Sequence, residues 1–320
     1  MRILVVGAGA IGGYFGGRLL QAGRDVVFLV RPRRAASLAE HGLSIRSRFG
    51  DFHAPAPPLV SDEGLSEPFD LVLLSCKAYD LEGAMTSLAR AVGPRTAILP
   101  LLNGMRHLDV LADRFGAERV LGGQCVISAT LDANGRIVHL NDLHALTFGE
   151  LDGGRSQRIE AIASAMSGAR FDARLSDDIR QDMWEKWVFI AAAAGITCVM
   201  RATIGDIVAA GAVDLASGLL DECAAIATAQ GYPPRQPSLE RARAAFTSAG
   251  SPLTASMLRD IEGRLPTEGD HILGDLLRRA AKPDDRSLLR IAYANIKAYE
   301  ARRQRETVVQ EKARAPISGL

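Results

Sequence analysis

Residues 1–31 read MRILVVGAGAIGGYFGGRLLQAGRDVVFLVR, and they commit the start of this chain to one kind of architecture. An apolar run, Ile3 to Val6, leads directly into Gly7, Gly9 and Gly12 in a G-x-G-x-x-G frame. A helix-like stretch follows, then Gly23, then a second apolar run ending at Arg31. The order is strand, tight turn, helix, strand. Three glycines alone are weak evidence, and the surrounding order is what gives them meaning. Gly7 permits the sharp turn, Gly9 leaves room for a pyrophosphate at the backbone, and Gly12 lets the helix pack close to the strand. The helix N-terminus then offers N–H groups and a partial positive charge to phosphate. Gly7, Gly9, Ala10, Ile11 and Gly12 are therefore candidate cofactor-binding residues. The alternative is a glycine-rich turn that serves packing alone.

The second strand, Val26 to Val30, bears on which dinucleotide such a turn accepts. A carboxylate at its end accepts hydrogen bonds from a ribose 2′-hydroxyl. Here the residue is Arg31, followed by Pro32, Arg33 and Arg34. A guanidinium can bind a phosphate bidentately, so NADP(H) is favoured over NAD(H). Solvated basic side chains at the start of the next helix are the alternative, more so for Arg33 and Arg34 than for Arg31.

A chain of 320 residues suggests about two domains. A net charge of +1 gives no support for nucleic-acid binding or a polybasic membrane anchor. Cys76, Cys125, Cys198 and Cys223 are far apart and form no C-x-x-C pair, which reads as thiols in a reducing compartment. The histidines show no ligand spacing, so no metal is expected. Glycines interrupt the N-terminal apolar stretch, and no uninterrupted apolar run reaches the roughly 18 residues that span a bilayer. A cytoplasmic protein is expected.

The first half alternates short apolar runs with helical segments. Asp70 to Ser75 and Thr96 to Leu101 read as buried strands, each followed by a helix, Leu81 to Val92 and Met105 to Phe115. Val120 to Thr130 reads as a strand, and Gly135 to Leu140 and Ala145 to Gly149 as two antiparallel strands. Gly154 to Met166 is helical. This predicts an α/β Rossmann-type doubly wound parallel sheet, extended by some antiparallel strands. From Asp178 onward the pattern is helical, over about 178–194, 204–230, 238–248, 252–263, 267–281 and 285–312. Thr267 is a candidate cap with Asp270 in the capping-box position. Pro233-Pro234 and Pro283 break helices, and residues 313–320 look frayed. The expected division is 1–175 for the NADP-binding domain and 176–320 for an all-α substrate and dimerisation domain.

Ligands of a doubly wound sheet sit at the carboxyl ends of its strands. Arg31, Lys77 and Asn103 all fall at such ends. Lys77 suits a nicotinamide ribose or a substrate, and the Asn103 amide can donate or accept. Lys186 lies in MWEKWVFIAAAAG, near the start of an apolar helix. It is either a lysine snorkelling to solvent or a desolvated proton donor. Glu268 sits at a helix start, where the dipole alone favours a carboxylate.

Together these segments resemble the ketopantoate reductase family (2-dehydropantoate 2-reductases) across essentially the whole chain. The resemblance rests on GAGAIGGYFGGRL, Arg31, SCKAYD with Lys77, LLNGM with Asn103, WEKW with Lys186, and SMLRDIEGRLPTEGD with Ser256 and Glu268. It implies NADPH bound in a cleft between the two domains and hydride transfer from nicotinamide C4 to the ketone carbon of a 2-oxo acid, by default 2-dehydropantoate. It implies Lys186 as general acid, Glu268 holding Lys186 or a substrate hydroxyl, Asn103 orienting substrate and nicotinamide, Ser256 on the substrate carboxylate, and Lys77 near the reacting centre. The family helix usually carries Asn one and two turns after the lysine, where this chain has Ile190 and Ala194. That departure implies a more apolar 2-oxo acid as the alternative substrate. The stretch RRAAKPDDRSLL lacks the Asn of the family's G-x-x-x-P-x-N loop. A nucleotide-binding sensor without turnover is the alternative of another class. The segment IAYANIKAYEARRQRE offers an apolar stripe for a homodimer, or for packing within its own domain.

Overall fold

The computed structural model describes residues 1–281 and 287–314, with side chains through residue 307. The predicted break at Pro283, part of RRAAKPDDRSLL and most of the frayed end lie outside the described residues. The chain divides into two compact units, Met1–Met183 and Trp184–Leu320.

The first unit runs β1 Arg2–Val6, α1 Ala10–Gln21, β2 Asp25–Leu29, α2 Pro32–His41, β3 Leu43–Arg46, β4 Phe52–Ala54, β5 Leu59–Val60 and β6 Leu71–Leu74. It continues with α3 Leu81–Leu88, β7 Ala97–Pro100, α4 Arg106–Phe115, β8 Gly122–Leu131, β9 Ile137–Gly149, α5 Gln157–Met166 and β10 Asp172–Leu175. One sheet has the order β5-β2-β1-β6-β7, and each of its pairings is parallel. Ile3, Leu4, Val5 and Leu71 to Leu74 are fully buried, as strands covered on both faces require. The order reverses between β1 and β6, which places a crevice outside the carboxyl ends of these strands.

The predicted antiparallel strands do not extend that sheet. They build a second one, of order β10-β9-β3-β4 with β8 on β9, and an isolated bridge, Ile98 to Val120, links it to β7. Helix α1 lies between the two sheets, and its glycines explain how. A Cβ at Gly16 would come within 2.6 Å of Phe28 on β2, one at Gly13 within 2.6 Å of Ile137 on β9, and one at Gly17 within 2.7 Å of Ile45 on β3. With side chains absent at these points, both sheets close on one helix.

The two strands predicted at 135–140 and 145–149 are one strand, β9, antiparallel to β8 rather than to itself. The short connection between the two predicted segments is a bulge within β9. Ile127 pairs with His144 and Ala129 with His139, so residues 140–143 oppose Ser128 alone. The Asn141 Oδ1 accepts the Ser128 N–H at 2.9 Å, replacing the missing ladder bond.

The helices that follow are α6 Ile179–Met200, α7 Ile204–Ala209, α8 Val213–Ala229, α9 Gln236–Phe246, α10 Ser256–Glu262, a π-turn Asp270–Gly274, α11 Asp275–Arg278 and α12 Leu288–Arg314. No strand follows β10 among the described residues. Helix α6 is long and apolar enough to cross a membrane, but 67% of its most apolar window is buried within the protein, as in a core helix. The single helix predicted over 204–230 is two, because Gly211 adopts φ +74° and ends the first. Thr267 and Asp270 form no capping box. The Thr267 hydroxyl donates to Glu300 Oε1 at 2.5 Å, and Asp270 accepts from Tyr293 Oη at 2.6 Å and Lys297 Nζ at 3.0 Å. The Tyr293 hydroxyl and the Lys297 ammonium on α12 take that carboxylate in place of a backbone N–H. A capping box does open α7, from Thr203 and Asp206. In the segment of α12 offered for a dimer, Ala292, Ile296 and Tyr299 are buried by this chain's own residues, and Ile291 is exposed.

Candidate active site

The phosphate turn is built by strand β1 running into helix α1. Gly7 adopts φ +92°, which only glycine takes without strain. Gly9 is the N-cap of α1, and its side chain position is open: a Cβ there would meet no protein atom within 4 Å. Gly12 is the opposite case, since a Cβ would lie 2.1 Å from the Gly7 carbonyl oxygen and 2.0 Å from Ser75 Oγ. Gly12 is therefore glycine for packing, whereas no protein contact requires glycine at Gly9. The N–H groups of Ala10, Ile11 and Gly12 belong to the first turn of α1, where no preceding helical carbonyl is available to accept them. This turn fits a dinucleotide pyrophosphate.

Ser75, at the end of β6, completes the turn from beside it. Its hydroxyl faces the carbonyls of Val6 and Gly7 at 3.0 and 3.1 Å, and its N–H donates to Val6 O at 3.2 Å. One side chain thus fixes the chain where it leaves β1. The segment SCKAYD stands out in the sequence for its lysine, and nothing local singles out this serine, whose partners lie 68 and 69 residues away.

The remaining rim residues follow from the strand order. Arg31 follows β2, Lys77 follows β6, and Asn103 follows β7, all on the carboxyl edge that carries Gly7. Arg31 is exposed, and its guanidinium donates to Asp80 Oδ1 at 2.7 Å. That bond and the Asp80 charge raise the Arg31 pKa, so it stays a cation. Because β1 lies between β2 and β6, this ion pair reaches across the end of β1. Lys77 is half-buried and opens the 3-10 turn Ala78–Asp80. Asn103 is half-buried and precedes Gly104, at φ +79°, ahead of α4. Arg34 serves the structure. Its guanidinium donates to Ala8 O at 2.9 Å and Gly135 O at 3.0 Å, tying the phosphate turn to the β8–β9 hairpin.

In the second unit, Lys186 is half-buried on α6 between buried Trp184 and Trp187. Trp187 donates from Nε1 to the Ile272 carbonyl at 2.9 Å. Glu268 is buried, and its carbonyl accepts the N–H groups of His271 and Ile272 at 3.1 and 2.9 Å. Ser256 is exposed in the first turn of α10. That helix start is fastened to α6, since the Ala255 N–H donates to Thr197 Oγ1 at 3.4 Å. Ile190 and Ala194 lie on α6 between these two attachments, the first half-buried and the second buried. Among the described residues no group of three or more His, Cys, Asp or Glu could hold a metal ion.

Two family sequence models match the chain. One, described as ketopantoate reductase PanE/ApbA, matches residues 3–153. The other, described as ketopantoate reductase PanE/ApbA C terminal, matches residues 178–300. An uncharacterized oxidoreductase, YkpB, of Bacillus subtilis is 39% identical, over 94% of this chain and 99% of its own length. A 2-dehydropantoate 2-reductase of Mesorhizobium japonicum is 29% identical, over 88% of this chain and 93% of its own. The crystal structure of a 2-dehydropantoate 2-reductase from Geobacter metallireducens superposes with a TM-score of 0.84 at 30% identity, covering 93% of this chain and 99% of that one.

Proposed function

The chain belongs to the ketopantoate reductase family, and we propose that it reduces the ketone of a 2-oxo acid with NADPH, by default 2-dehydropantoate to pantoate. Membership makes it an NADP-dependent oxidoreductase acting on CH–OH. The observation that carries the cofactor reading is Gly9, whose open side chain position at the head of α1 has no explanation in protein packing. When bound, the nicotinamide supplies a hydride to the ketone carbon.

The chain's own residues take the remaining roles. The turn from Gly7 to Gly12 binds the pyrophosphate through backbone N–H groups, and Arg31 takes the 2′-phosphate. Lys77 and Asn103 contact cofactor and substrate from the same rim. Lys186 Nζ gives its proton to the carbonyl oxygen as negative charge develops there. Glu268 holds Lys186 or a substrate hydroxyl, and Ser256 binds the substrate carboxylate.

The second reading is reduction of a more apolar 2-oxo acid. It is favoured by Ile190 and Ala194, which leave the face of α6 beyond Lys186 without a hydrogen-bonding side chain at those two positions. A pocket built on hydroxyl contacts rejects ligands lacking the hydroxyl, and an apolar wall does not. We read the protein further as a cytoplasmic homodimer, joined elsewhere than the buried stripe of α12.

NADPH oxidation followed by absorbance, with 2-dehydropantoate beside a panel of apolar 2-oxo acids, tests these readings. Turnover on 2-dehydropantoate supports the first, and turnover confined to apolar members supports the second. NADPH binding with no turnover across the panel would replace both with the sensor.

A further inference from the structure

The mechanism proposed above needs Lys186 and Glu268 in a fixed relation, although 82 residues separate them in sequence. The second unit contains a bond between near neighbours of the two. Trp187 directly follows Lys186, is fully buried, and donates its indole N–H to Ile272 O at 2.9 Å. Ile272 in turn donates its N–H to the Glu268 carbonyl at 2.9 Å. Two hydrogen bonds therefore lead from the residue beside Lys186 to Glu268 itself.

The segment that Trp187 grips is held on its other side as well. Thr267 bonds Glu300, and Asp270 bonds Tyr293 and Lys297, all on α12. A Cβ at Gly269 would approach Ile296 to 2.4 Å, so the segment sits tightly on that helix. Within it the backbone takes a π-turn, Asp270–Gly274, a conformation found often at functional sites. On the α6 side Trp187 supplies one tie, and the Arg279 guanidinium, which follows α11, lies over the Trp184 and Trp187 rings at 5.8 and 5.5 Å.

We propose that Trp187 is a positioning residue: its bond to the Ile272 carbonyl sets the segment carrying Glu268 against the helix carrying Lys186. The inference rests on the reading of Lys186 and Glu268 as mechanistic residues. An indole N–H in a buried site is a directional contact, and removing it leaves a buried carbonyl without that donor. The aromatic ring alone fills space but does not fix the approach of one segment to the other.

The test is Trp187→Phe, which keeps a ring and removes the donor, measured beside Lys186→Ala. The expected result is a fall in kcat of tenfold or more, with NADPH affinity within twofold of wild type. On the reading in which Glu268 holds Lys186, the alkaline limb of the kcat–pH profile should also move to lower pH, because a lysine moved away from a carboxylate gives up its proton more readily. A purely structural role would leave that limb in place. If Trp187→Phe fails to fold, benzothienylalanine in a Trp184→Phe background removes only the N–H, and the same shifts are expected. A folded variant with unchanged kcat and pH profile, in the presence of an inactive Lys186→Ala, overturns the proposal alone. Full activity of Lys186→Ala, or a wild-type protein that turns over no 2-oxo acid, removes the underlying reading and the proposal with it.

Discussion

Gly9→Ala separates what the fold needs from what the cofactor needs. Gly9 has φ −78° and ψ −162°, extended backbone that alanine adopts. The added methyl would meet no protein atom within 4 Å. The folded protein should therefore be as stable as wild type, or more stable by about 0.4–1 kcal/mol through a less flexible unfolded chain. In the proposed cofactor site the same methyl enters the space where phosphate oxygens would approach the first turn of α1. Loss of one hydrogen bond to a charged group costs about 1.5–3 kcal/mol, or roughly ten- to a hundredfold in affinity. Gly12→Ala provides the contrast, because its methyl collides with the Gly7 carbonyl and Ser75 Oγ at 2.1 and 2.0 Å. Overpacking of that kind costs about 1–3 kcal/mol and lowers the melting temperature. Thermal melting and titration of NADPH fluorescence read the two effects separately. Gly9→Ala with wild-type NADPH affinity, or with a melting temperature as low as that of Gly12→Ala, would refute the division of roles.

Other perturbations address the rim, the proposed proton donor and the second sheet. Arg31→Glu places a carboxylate where the 2′-phosphate would bind and should cut the NADPH-to-NADH ratio of kcat/KM at least tenfold; an unchanged ratio locates the phosphate site elsewhere. Lys186→Ala should lower kcat by about a hundredfold or more, the range for a lost general acid, while NADPH binding changes little; equal losses in both would make Lys186 a binding residue. His144 is buried with its Nδ1 2.8 Å from the Tyr14 hydroxyl, and its ring stacks on Phe49 at a 3.9 Å centroid separation. Burial, despite the nearby Asp172, holds its pKa below the ordinary 6.5. The unfolded chain then binds the extra proton first, so this contribution to stability is complete above pH 6.5 and is lost as pH falls toward the lower folded value. Melting curves from pH 8 to 5 should show the decline, and His144→Phe should flatten it; an identical slope in the variant would assign the decline to other groups.

The parallel sheet and the helical second half are legible in the sequence because their signals are local. Leu71 to Leu74 is an unbroken apolar run, the pattern of a strand buried on both faces. Strands β3, β4, β5 and β10 escape notice because they are two to four residues long with mixed burial, and long-range pairing rather than composition makes them strands. The bulge in β9 looks like a turn because it is a short connection between two strand-like segments, and nothing local reveals that Ser128 receives the Asn141 side chain. The same limit governs the site. Arg31, Lys77 and Asn103 announce themselves by standing at strand ends, but their partners do not. Asp80 is 49 residues from Arg31, and Ile272 is 85 from Trp187. Only the folded chain pairs them.

The glycines of α1 resolve a question that the G-x-G-x-x-G frame leaves open. The segment from Gly7 to Gly17 holds more glycines than a phosphate turn requires. Gly13 and Gly17 face Ile137 and Ile45 of the second sheet, and Gly16 faces Phe28 and Val5 of the first. Gly12 faces the turn itself and Ser75. Each is accounted for by protein atoms that a Cβ would strike. A chain needing only to slide one helix between two sheets would require these four and the positive φ at Gly7. It would not require Gly9, whose backbone is ordinary and whose surroundings are empty of protein within 4 Å. Every glycine of this segment but one is thus explained by packing or by backbone conformation, and the exception stands at the N-terminus of the helix, where an anion is favoured.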